Sequence, residues 1–242
     1  MPPHQLSRTR ERYAQTTARG RCFLAGSVCW ALFVLVAVLV DTGAAQELDR
    51  AGLLYWRTTE LGPRGPGWLL EAVRDFTSLG GVLLRHLIVL GAAASLLFLR
   101  HKRESLLLIA TVLSGWWVNT GLKLLVARPR PEIVPHLAEA GGMSFPSGHS
   151  FNAAVAYTAI ALTFGALTPR RSVRVAIMTC ALVMTLLIAM SRVWLGVHYP
   201  TDCAAGWLGG TGWALLSATL FAPPDGEPVS LPPQPAKGSS GP

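Results

Sequence analysis

Six apolar stretches limit what this chain can fold into more than any other feature of its sequence. They cover residues 22–40, 82–99, 105–126, 151–167, 175–191 and 203–221. Each approaches the roughly 20 residues that an α-helix needs to cross the hydrocarbon core of a bilayer. Because an unpaired backbone group is costly in lipid, a helix is the structure that suits such a segment. The pattern predicts an all-α integral membrane bundle of six transmembrane helices.

The charge distribution supports a membrane protein and argues against a nucleic-acid partner. Only 14% of the residues are charged, against about 25% in an average soluble domain. The net charge of +8 comes from short clusters between the apolar stretches, with no continuous basic face. We expect a membrane domain over residues 22–222, a basic cytoplasmic segment over residues 1–21, and a disordered Pro-, Gly- and Ser-rich tail over residues 223–242.

Basic clusters also predict the orientation. They precede the first stretch, join the second to the third, and join the fourth to the fifth. Their members are Arg8, Arg10, Arg12, Arg19 and Arg21, then Arg100, Lys102 and Arg103, then Arg170, Arg171 and Arg174. The positive-inside rule puts these clusters, and with them both termini, in the cytoplasm. Residues 41–81, 127–150 and 193–201 then lie on the periplasmic or extracellular face of the cell (inner) membrane.

The first stretch and the segment after it allow two further expectations. A signal peptide cleaved near Gly43-Ala44-Ala45 is an alternative to a first helix, but an apolar run of about 19 residues exceeds the usual 7–15. Within residues 41–81, apolar residues recur at helical spacing on both sides of a Gly- and Pro-rich break. We expect two short interfacial helices there, with Arg85 and His86 as interfacial anchors just beyond them.

Charged residues at membrane depth are costly, about 2.5–3.5 kcal/mol each on insertion scales, so they are candidates for function. A first group consists of Lys123, Arg128 and Arg130, at the end of the third stretch. Pro129 and Pro131 end that helix and favour extended backbone around the two arginines. Basic residues are unexpected on an outer face, so this group indicates an anion site more than simple anchoring.

A second group, Ser147-Gly148-His149, comes directly before the fourth stretch. Ser147 suits a helix N-cap, and Gly148 lets the backbone approach a ligand closely. The N–H groups and dipole of a helix N-terminus favour phosphate. A single histidine at such a place is usually structural, so this group alone is moderate support for a site.

Arg192, His198 and Asp202 form a third group, around the turn between the fifth and sixth stretches. Asp202 follows His198 by four residues, so its carboxylate can accept one imidazole N–H and leave the other nitrogen free to attack. A pair that only caps the helix is an equally good interpretation of this group alone. With alternating spans, however, all three groups share one face, and an anion bound by cations and attacked by an oriented histidine is phosphoryl-transfer chemistry.

These groups resemble the signature of the type 2 phosphatidic acid phosphatase and vanadium haloperoxidase superfamily. The pattern K-x6-R-P, P-S-G-H, S-R-x5-H-x3-D is matched in order and spacing by residues 123–131, 146–149 and 191–202. The resemblance implies that His198 is the nucleophile that forms a phosphohistidine, that Asp202 orients it, and that His149 protonates the leaving oxygen. It also implies a set of phosphate-binding residues, namely Lys123, Arg130, Ser147, Gly148 and Arg192. Arg128 is outside the signature.

Several functions remain compatible with these residues. A membrane phosphatase of the lipid branch of the family would take a phosphorylated lipid as its substrate, and similar members act on undecaprenyl diphosphate, phosphatidylglycerol phosphate or phosphatidic acid. A phosphotransferase using the same site and a noncatalytic lipid-phosphate-binding protein are alternatives, whereas the haloperoxidases of the family are larger and soluble. No cofactor is expected, because no metal-ligand spacing occurs and the four cysteines form no CxxC pair. The sequence sets no oligomeric state.

Overall fold

The computed structural model describes the backbone of residues 3–220 and the side chains of residues 18–219. The predicted tail over residues 223–242 lies outside this range, as do most side chains of the predicted segment 1–21. Within the described range the chain is helical, which confirms the all-α class. The helices are α1 (Pro3–Asp41), α2 (Gln46–Tyr55), α3 (Gly67–Ser78), α4 (Val82–Phe98), α5 (Lys102–Val126), α6 (Gly148–Ala166), α7 (Arg171–Trp194) and α8 (Pro200–Leu220).

Six of these helices, α1 and α4 to α8, coincide with the six apolar stretches. Among the described residues, three helices are long and apolar enough by themselves to cross a membrane: Ala18–Asp41 of α1, α5 and α7. A fourth span results if α3 and α4, which meet at a bend of 47°, are counted as one. The structure thus supports three or four spans directly, and the predicted six are not confirmed.

The position of α6 explains why its composition is a poor guide to a span. This helix packs against α5, α7 and α8, and most of its residues are buried, including the polar Asn152 and Thr158. A helix that is surrounded by other helices can carry polar residues, because these residues face protein and not lipid. Helix α6 is therefore the centre of the bundle.

Close packing joins α6 to α8. Glycines of α8 face the first turns of α6, and a Cβ atom on Gly210 would overlap the carbonyl oxygen of Phe151. A Cβ atom on Gly206 would lie 2.8 Å from the carbonyl oxygen of Ser147. The backbones of the two helices can approach this closely only because these positions have no side chain.

The two short helices predicted within residues 41–81 are α2 and α3. On α2, Asp49 and Leu53 face the protein, whereas the apolar side chains of Leu48 and Tyr55 are 65% and 64% exposed. On α3, Thr77 is the buried residue, and this helix packs against α7. A helix that turns an aspartate inward and apolar residues outward is the arrangement expected at a lipid surface.

Candidate active site

The ends of four helices bring the three predicted groups together at one end of the bundle. The C-terminal end of α5, the N-terminal end of α6, the C-terminal end of α7 and the N-terminal end of α8 meet there. The backbone N–H of Ser147 donates to the carbonyl oxygen of Asp202 over 3.0 Å, which connects the second group to the third. The backbone N–H of Ser144 donates to the carbonyl oxygen of Arg128 over 2.8 Å. This hydrogen bond joins the two ends of the 127–147 loop next to the first group.

His198 and Asp202 form the centre of this cluster. His198 lies in the turn between α7 and α8, and Asp202 lies in the first turn of α8. The imidazole Nδ1 is 3.5 Å from Oδ2 of Asp202, and the residues are 2% and 0% exposed. The same Oδ2 atom accepts the backbone N–H of Tyr199 over 2.9 Å and the hydroxyl of Ser144. The Oδ2 atom is therefore fixed in position by two donors besides the histidine.

Arg130 determines which imidazole nitrogen carries the proton. Its Nη1 atom lies 3.1 Å from Nε2 of His198. Because a guanidinium group can only donate, Nε2 must accept in this contact. The proton of the neutral ring is then on Nδ1, on the side of Asp202 and of the Ser144 hydroxyl, which is 3.3 Å from Nδ1. This tautomer leaves the nucleophilic lone pair of His198 on the side of the basic residues.

Burial keeps His198 neutral. Removal from water lowers the pKa of His198 from 6.5 to about 4, although Asp202 acts in the opposite direction. Arg130 and Arg192 contribute to this lowering of the pKa, because a further positive charge beside them is unfavourable. The ring is thus uncharged at neutral pH, as a nucleophile has to be.

Backbone carbonyl groups of residues 141–143 hold two cations at the site. Arg130 donates from Nε to Gly142 over 3.0 Å and from Nη2 to Gly141 over 2.7 Å. Lys123 donates from Nζ to Met143 over 2.6 Å. The loop between α5 and α6 therefore positions Arg130 beside His198 and Lys123 within electrostatic reach of Arg130 and Asp202, although no regular element contains Arg130.

The start of α6 has the predicted N-cap, and the polar groups of Ser147 form hydrogen bonds within the protein. Ser147 is the N-cap, as expected, and its hydroxyl oxygen accepts the backbone N–H of Ser150 over 3.5 Å and the Ser150 hydroxyl over 3.0 Å. Ser147 is fully buried, and its own backbone N–H donates to Asp202. Ser147 thus shapes the helix start, and the N–H groups of Gly148 and His149, which lack intrahelical partners, are those offered to an anion.

His149 lies against the turn between α3 and α4. A Cβ atom on Gly80 would lie 3.3 Å from Cδ2 of His149, and one on Gly81 would lie 3.8 Å from Nε2. The imidazole is within electrostatic reach of Arg192 and His198. The two histidines of the signature therefore belong to one site, with His149 on the side of α3 and His198 on the side of α8.

Arg192 is held at the end of α7 by a residue that sequence reasoning missed. The hydroxyl of Thr77, on α3, accepts from Nη1 of Arg192 over 3.2 Å and from the Ser191 hydroxyl over 2.8 Å. Nε of Arg192 is buried and without a hydrogen-bond partner. A buried guanidinium group with an unused donor suits the binding of an oxyanion.

The interpretation of Arg85 as an interfacial anchor is wrong. Arg85 is 3% exposed, and its Nη1 atom donates to the carbonyl oxygen of Gly80 over 2.8 Å. It supports the turn that contacts His149, within electrostatic reach of that ring. His86, by contrast, is partly exposed, and its Nδ1 atom forms a hydrogen bond with the carbonyl oxygen of Val82 in its own helix.

Sequence reasoning missed other residues of the site for an understandable reason. Ser144 lies in the loop before the second group, and Thr77 and Asp49 lie in the short helices far away along the chain. Neither the spacing nor the chemistry of these residues distinguishes them from other polar residues of a loop. One sequence feature could have indicated that Ser144 contacts Asp202, namely the position of Ser144 close to the Pro146-Ser147 motif.

Comparison with known proteins identifies a family whose model covers all three groups of site residues. The model of the PAP2 superfamily matches residues 104–223. The chain is 33% identical over 181 residues to phosphatidylglycerophosphatase B of Bacillus subtilis (strain 168), covering 72% of this chain and 83% of that protein. It is 31% identical over 189 residues to decaprenylphosphoryl-5-phosphoribose phosphatase of Mycobacterium tuberculosis (strain CDC 1551 / Oshkosh), covering 76% of this chain and 89% of that protein.

A solved structure has a similar fold. The crystal structure of a transmembrane PAP2 type phosphatidylglycerolphosphate phosphatase from Bacillus subtilis superimposes with a TM-score of 0.73 at 28% identity. The match covers 81% of this chain and 94% of that chain. The helical arrangement around the site is therefore that of a PAP2 membrane phosphatase.

Proposed function

Because this chain belongs to the PAP2 superfamily, we propose that it is a membrane phosphatase that removes phosphate from a lipid phosphate or diphosphate through a phosphohistidine on His198. The observation that carries the proposal is the arrangement of two charged groups around one buried imidazole ring. Asp202 faces Nδ1 at 3.5 Å, Arg130 faces Nε2 at 3.1 Å, and the ring is buried. One nitrogen is oriented by a carboxylate, and the other is presented where a cation attracts an anion.

The first step forms a covalent intermediate. The lone pair on Nε2 of His198 attacks phosphorus, and an N–P bond forms while the bond between phosphorus and the bridging oxygen of the lipid breaks. His149 donates a proton to that oxygen. Asp202 stabilises the positive charge that the phosphorylated ring carries, since its carboxylate faces Nδ1. Lys123, Arg130 and Arg192 balance the charge on the phosphoryl oxygens.

The second step releases inorganic phosphate. Water attacks phosphorus, His149 accepts a proton from the water, and the N–P bond breaks, so that His198 returns to its starting state. Reversal of the role of His149 follows from microscopic reversibility. Water is the acceptor in this proposal. An alcohol in its place would make the protein a phosphotransferase.

An apolar groove supports a lipid substrate. It has a volume of about 340 Å³ and lies between α3 and α7. Its walls include Ala72, Val73, Phe76, Leu187, Met190 and Trp194, and it reaches Ser191. Ser191 and Arg192 both hydrogen-bond to the Thr77 hydroxyl, so the groove reaches the surroundings of the proposed phosphate site. Hydrocarbon placed there would be continuous with a phosphate bound by Arg192.

Phosphate release from purified protein in detergent tests the proposal. Phosphatidylglycerol phosphate, phosphatidic acid and undecaprenyl diphosphate are the substrates to compare, since the two relatives above are named for lipid-linked phosphates. We expect release from at least one of them, inhibition by vanadate, and full activity in EDTA, because cationic side chains supply the positive charge. Binding of all three lipids without release would indicate a noncatalytic protein. Loss of activity in EDTA that Mg²⁺ restores would contradict the mechanism.

A substitution that fills the groove should separate the recognition of the hydrocarbon chain from the recognition of the phosphate head group. Ala72 is exposed on α3 and lines the groove, so Ala72→Trp places an indole where the hydrocarbon would lie. We expect kcat/KM for a long-chain lipid phosphate to fall roughly 10-fold or more, and kcat/KM for a short-chain, water-soluble analogue to stay unchanged. Asp75→Trp, an exposed position of the same helix outside the groove, is the matched control. Equal losses of kcat/KM on both substrates would mean that the hydrocarbon chain of the lipid binds outside the groove.

The proposed topology has six spans, α1 and α4 to α8, with both termini in the cytoplasm and the site on the outer face. The proposed domain bounds are residues 22–222. Three features support it: the coincidence of these helices with the apolar stretches, the basic clusters on the other side, and the central, protein-covered position of α6, which explains its polar residues.

Cysteine labelling tests this orientation. Glu139 and Ser172 are both exposed, the first in the loop between α5 and α6 and the second at the start of α7. In a background without the four native cysteines, Glu139→Cys should react with a membrane-impermeant maleimide on intact cells or spheroplasts. Ser172→Cys should react only after permeabilisation. The reverse pattern would put the site in the cytoplasm.

A further inference from the structure

Arg128 lies between two buried carboxylates. Its Nη1 atom donates to Oδ1 of Asp202 over 2.7 Å, and its Nη2 atom donates to Oδ2 of Asp49 over 2.7 Å. The side chains of Asp49 and Asp202 are 1% and 0% exposed, and that of Arg128 is 16% exposed. The guanidinium group thus connects the aspartate beside the proposed nucleophile to a residue of α2, more than 70 positions away along the chain.

Thr201 closes these contacts into a ring. Its hydroxyl donates to Oδ2 of Asp49 over 2.7 Å and accepts from Nη1 of Arg128 over 2.9 Å. Its backbone N–H donates to Oδ1 of Asp49 over 2.9 Å. Asp49 therefore also serves as an acceptor for the first turn of α8, the turn that contains Asp202. The position of Asp202 depends on α2 twice, once through Arg128 and once through the helix itself.

The contacts of Arg128 argue against a direct role in binding phosphate. Both terminal nitrogens donate to carboxylates, and the guanidinium group lies over the ring of Tyr199, 4.0 Å from its centroid. Arg130 differs in this respect, since its Nη1 atom contacts Nε2 of His198. The two arginines of one short segment thus face opposite sides of the imidazole, one the nucleophilic nitrogen and the other its carboxylate partner.

We propose that Arg128 and Asp49 are positioning residues, which hold Asp202 so that its second oxygen faces Nδ1 of His198. Arg128 fixes Oδ1 of Asp202, which leaves Oδ2 to the imidazole, and Asp49 fixes Arg128. Helix α2 is therefore part of the active site, although it carries no residue that touches the reacting atoms. This inference rests on the proposed function only in so far as it takes His198 as the nucleophile.

The charges in this ring predict opposite effects of two substitutions on pH dependence. The groups that face His198 are Asp202 from α8, Arg130 from the 127–147 loop, Arg192 from α7 and His149 from α6. Removal of the charge of Arg128 leaves the charge of Asp202 less compensated, which favours protonated His198. Removal of the charge of Asp49 leaves Arg128 less compensated, which disfavours protonated His198.

The experiment compares Arg128→Gln and Asp49→Asn in the full-length protein in detergent. Each should lower kcat about 10- to 100-fold with KM and the vanadate inhibition constant unchanged, because a misplaced carboxylate misorients the nucleophile without changing the phosphate ligands. The acid limb of the kcat/KM profile should move to higher pH in Arg128→Gln and to lower pH in Asp49→Asn. The double variant should lose less than the product of the two single losses, since the residues act through one contact.

Two control variants on α2 test whether the effects are specific to Arg128 and Asp49. Arg50→Gln and Glu47→Gln make the same chemical changes at exposed positions of α2 and should leave kcat and the acid limb unchanged. A raised KM and weaker vanadate inhibition in Arg128→Gln would make Arg128 a phosphate ligand. A lower thermal midpoint without a shift of the acid limb would make the ring merely structural. If the wild-type protein releases no phosphate at all, the proposed function itself fails.

Discussion

Replacement of His198 by alanine should lower phosphate release by about 10⁴-fold or more, because the intermediate cannot form without Nε2. Wild-type protein given a lipid with radioactive phosphate and stopped in alkali, in which phosphohistidine is stable, should carry the label. His198→Ala should not carry it. Gel filtration in detergent checks that the variant is folded, which is relevant because His198 is buried.

His86→Ala is the matched control for this experiment. His86 is partly exposed on α4 and forms a hydrogen bond with the carbonyl oxygen of Val82 in its own helix, so its loss should leave turnover and labelling intact. A His198→Ala protein that is folded and still retains a few per cent of activity would place the nucleophile elsewhere. His149 would then be the next residue to test.

Substitution of Asp202 by asparagine should lower kcat about 10³- to 10⁴-fold, a loss typical of an aspartate that fixes the tautomer of a catalytic histidine. An asparagine that offers its N–H₂ to Nδ1 would favour the tautomer with the proton on Nε2, which has no lone pair for attack. The substitution also removes the negative charge that stabilises the phosphorylated imidazole.

The pH profile identifies the cause of that loss. Asp202 raises the pKa of His198, whereas burial, Arg130 and Arg192 lower it. The variant should therefore have a His198 pKa below the wild-type value of about 4, so the histidine stays neutral at every working pH. The loss of kcat should therefore be nearly constant over the roughly three pH units from about pH 5 to about pH 8, because the protonation of His198 does not change there. No loss at neutral pH, together with an acid limb moved to lower pH, would mean that Asp202 acts only on the protonation of His198.

The parts of the site that sequence could predict are those linked by short spacing. His198 and Asp202 are four residues apart across a turn and the start of a helix, so their contact follows from local geometry alone. Arg130 follows the end of α5 through a Pro-bounded segment, and Ser147 caps α6 by its chemistry. Helix positions were predictable for the same reason, because apolar length is a local property.

Contacts between distant elements could not be predicted in this way. Asp49 reaches Arg128 and Thr201 only because α2 folds back on the start of α8, and nothing within α2 requires that. Arg85 has the composition of an interfacial residue, and its burial depends on the bend between α3 and α4. The number of spans is equally a tertiary matter, since α6 is polar for a span but is enclosed by neighbouring helices.

The glycine contacts between α6 and α8 have a consequence for how such a site can change over time. Gly206 and Gly210 allow no side chain against Ser147 and Phe151, so the wall that carries His149 on one helix and Asp202 on the other is nearly incompressible. The opposite wall consists of α3 and α7 and encloses a groove of about 340 Å³. Variation that adapts the protein to new lipids is therefore expected among the groove-facing residues of α3 and α7, apart from Thr77 and Arg192, whereas the contact between α6 and α8 has to be preserved.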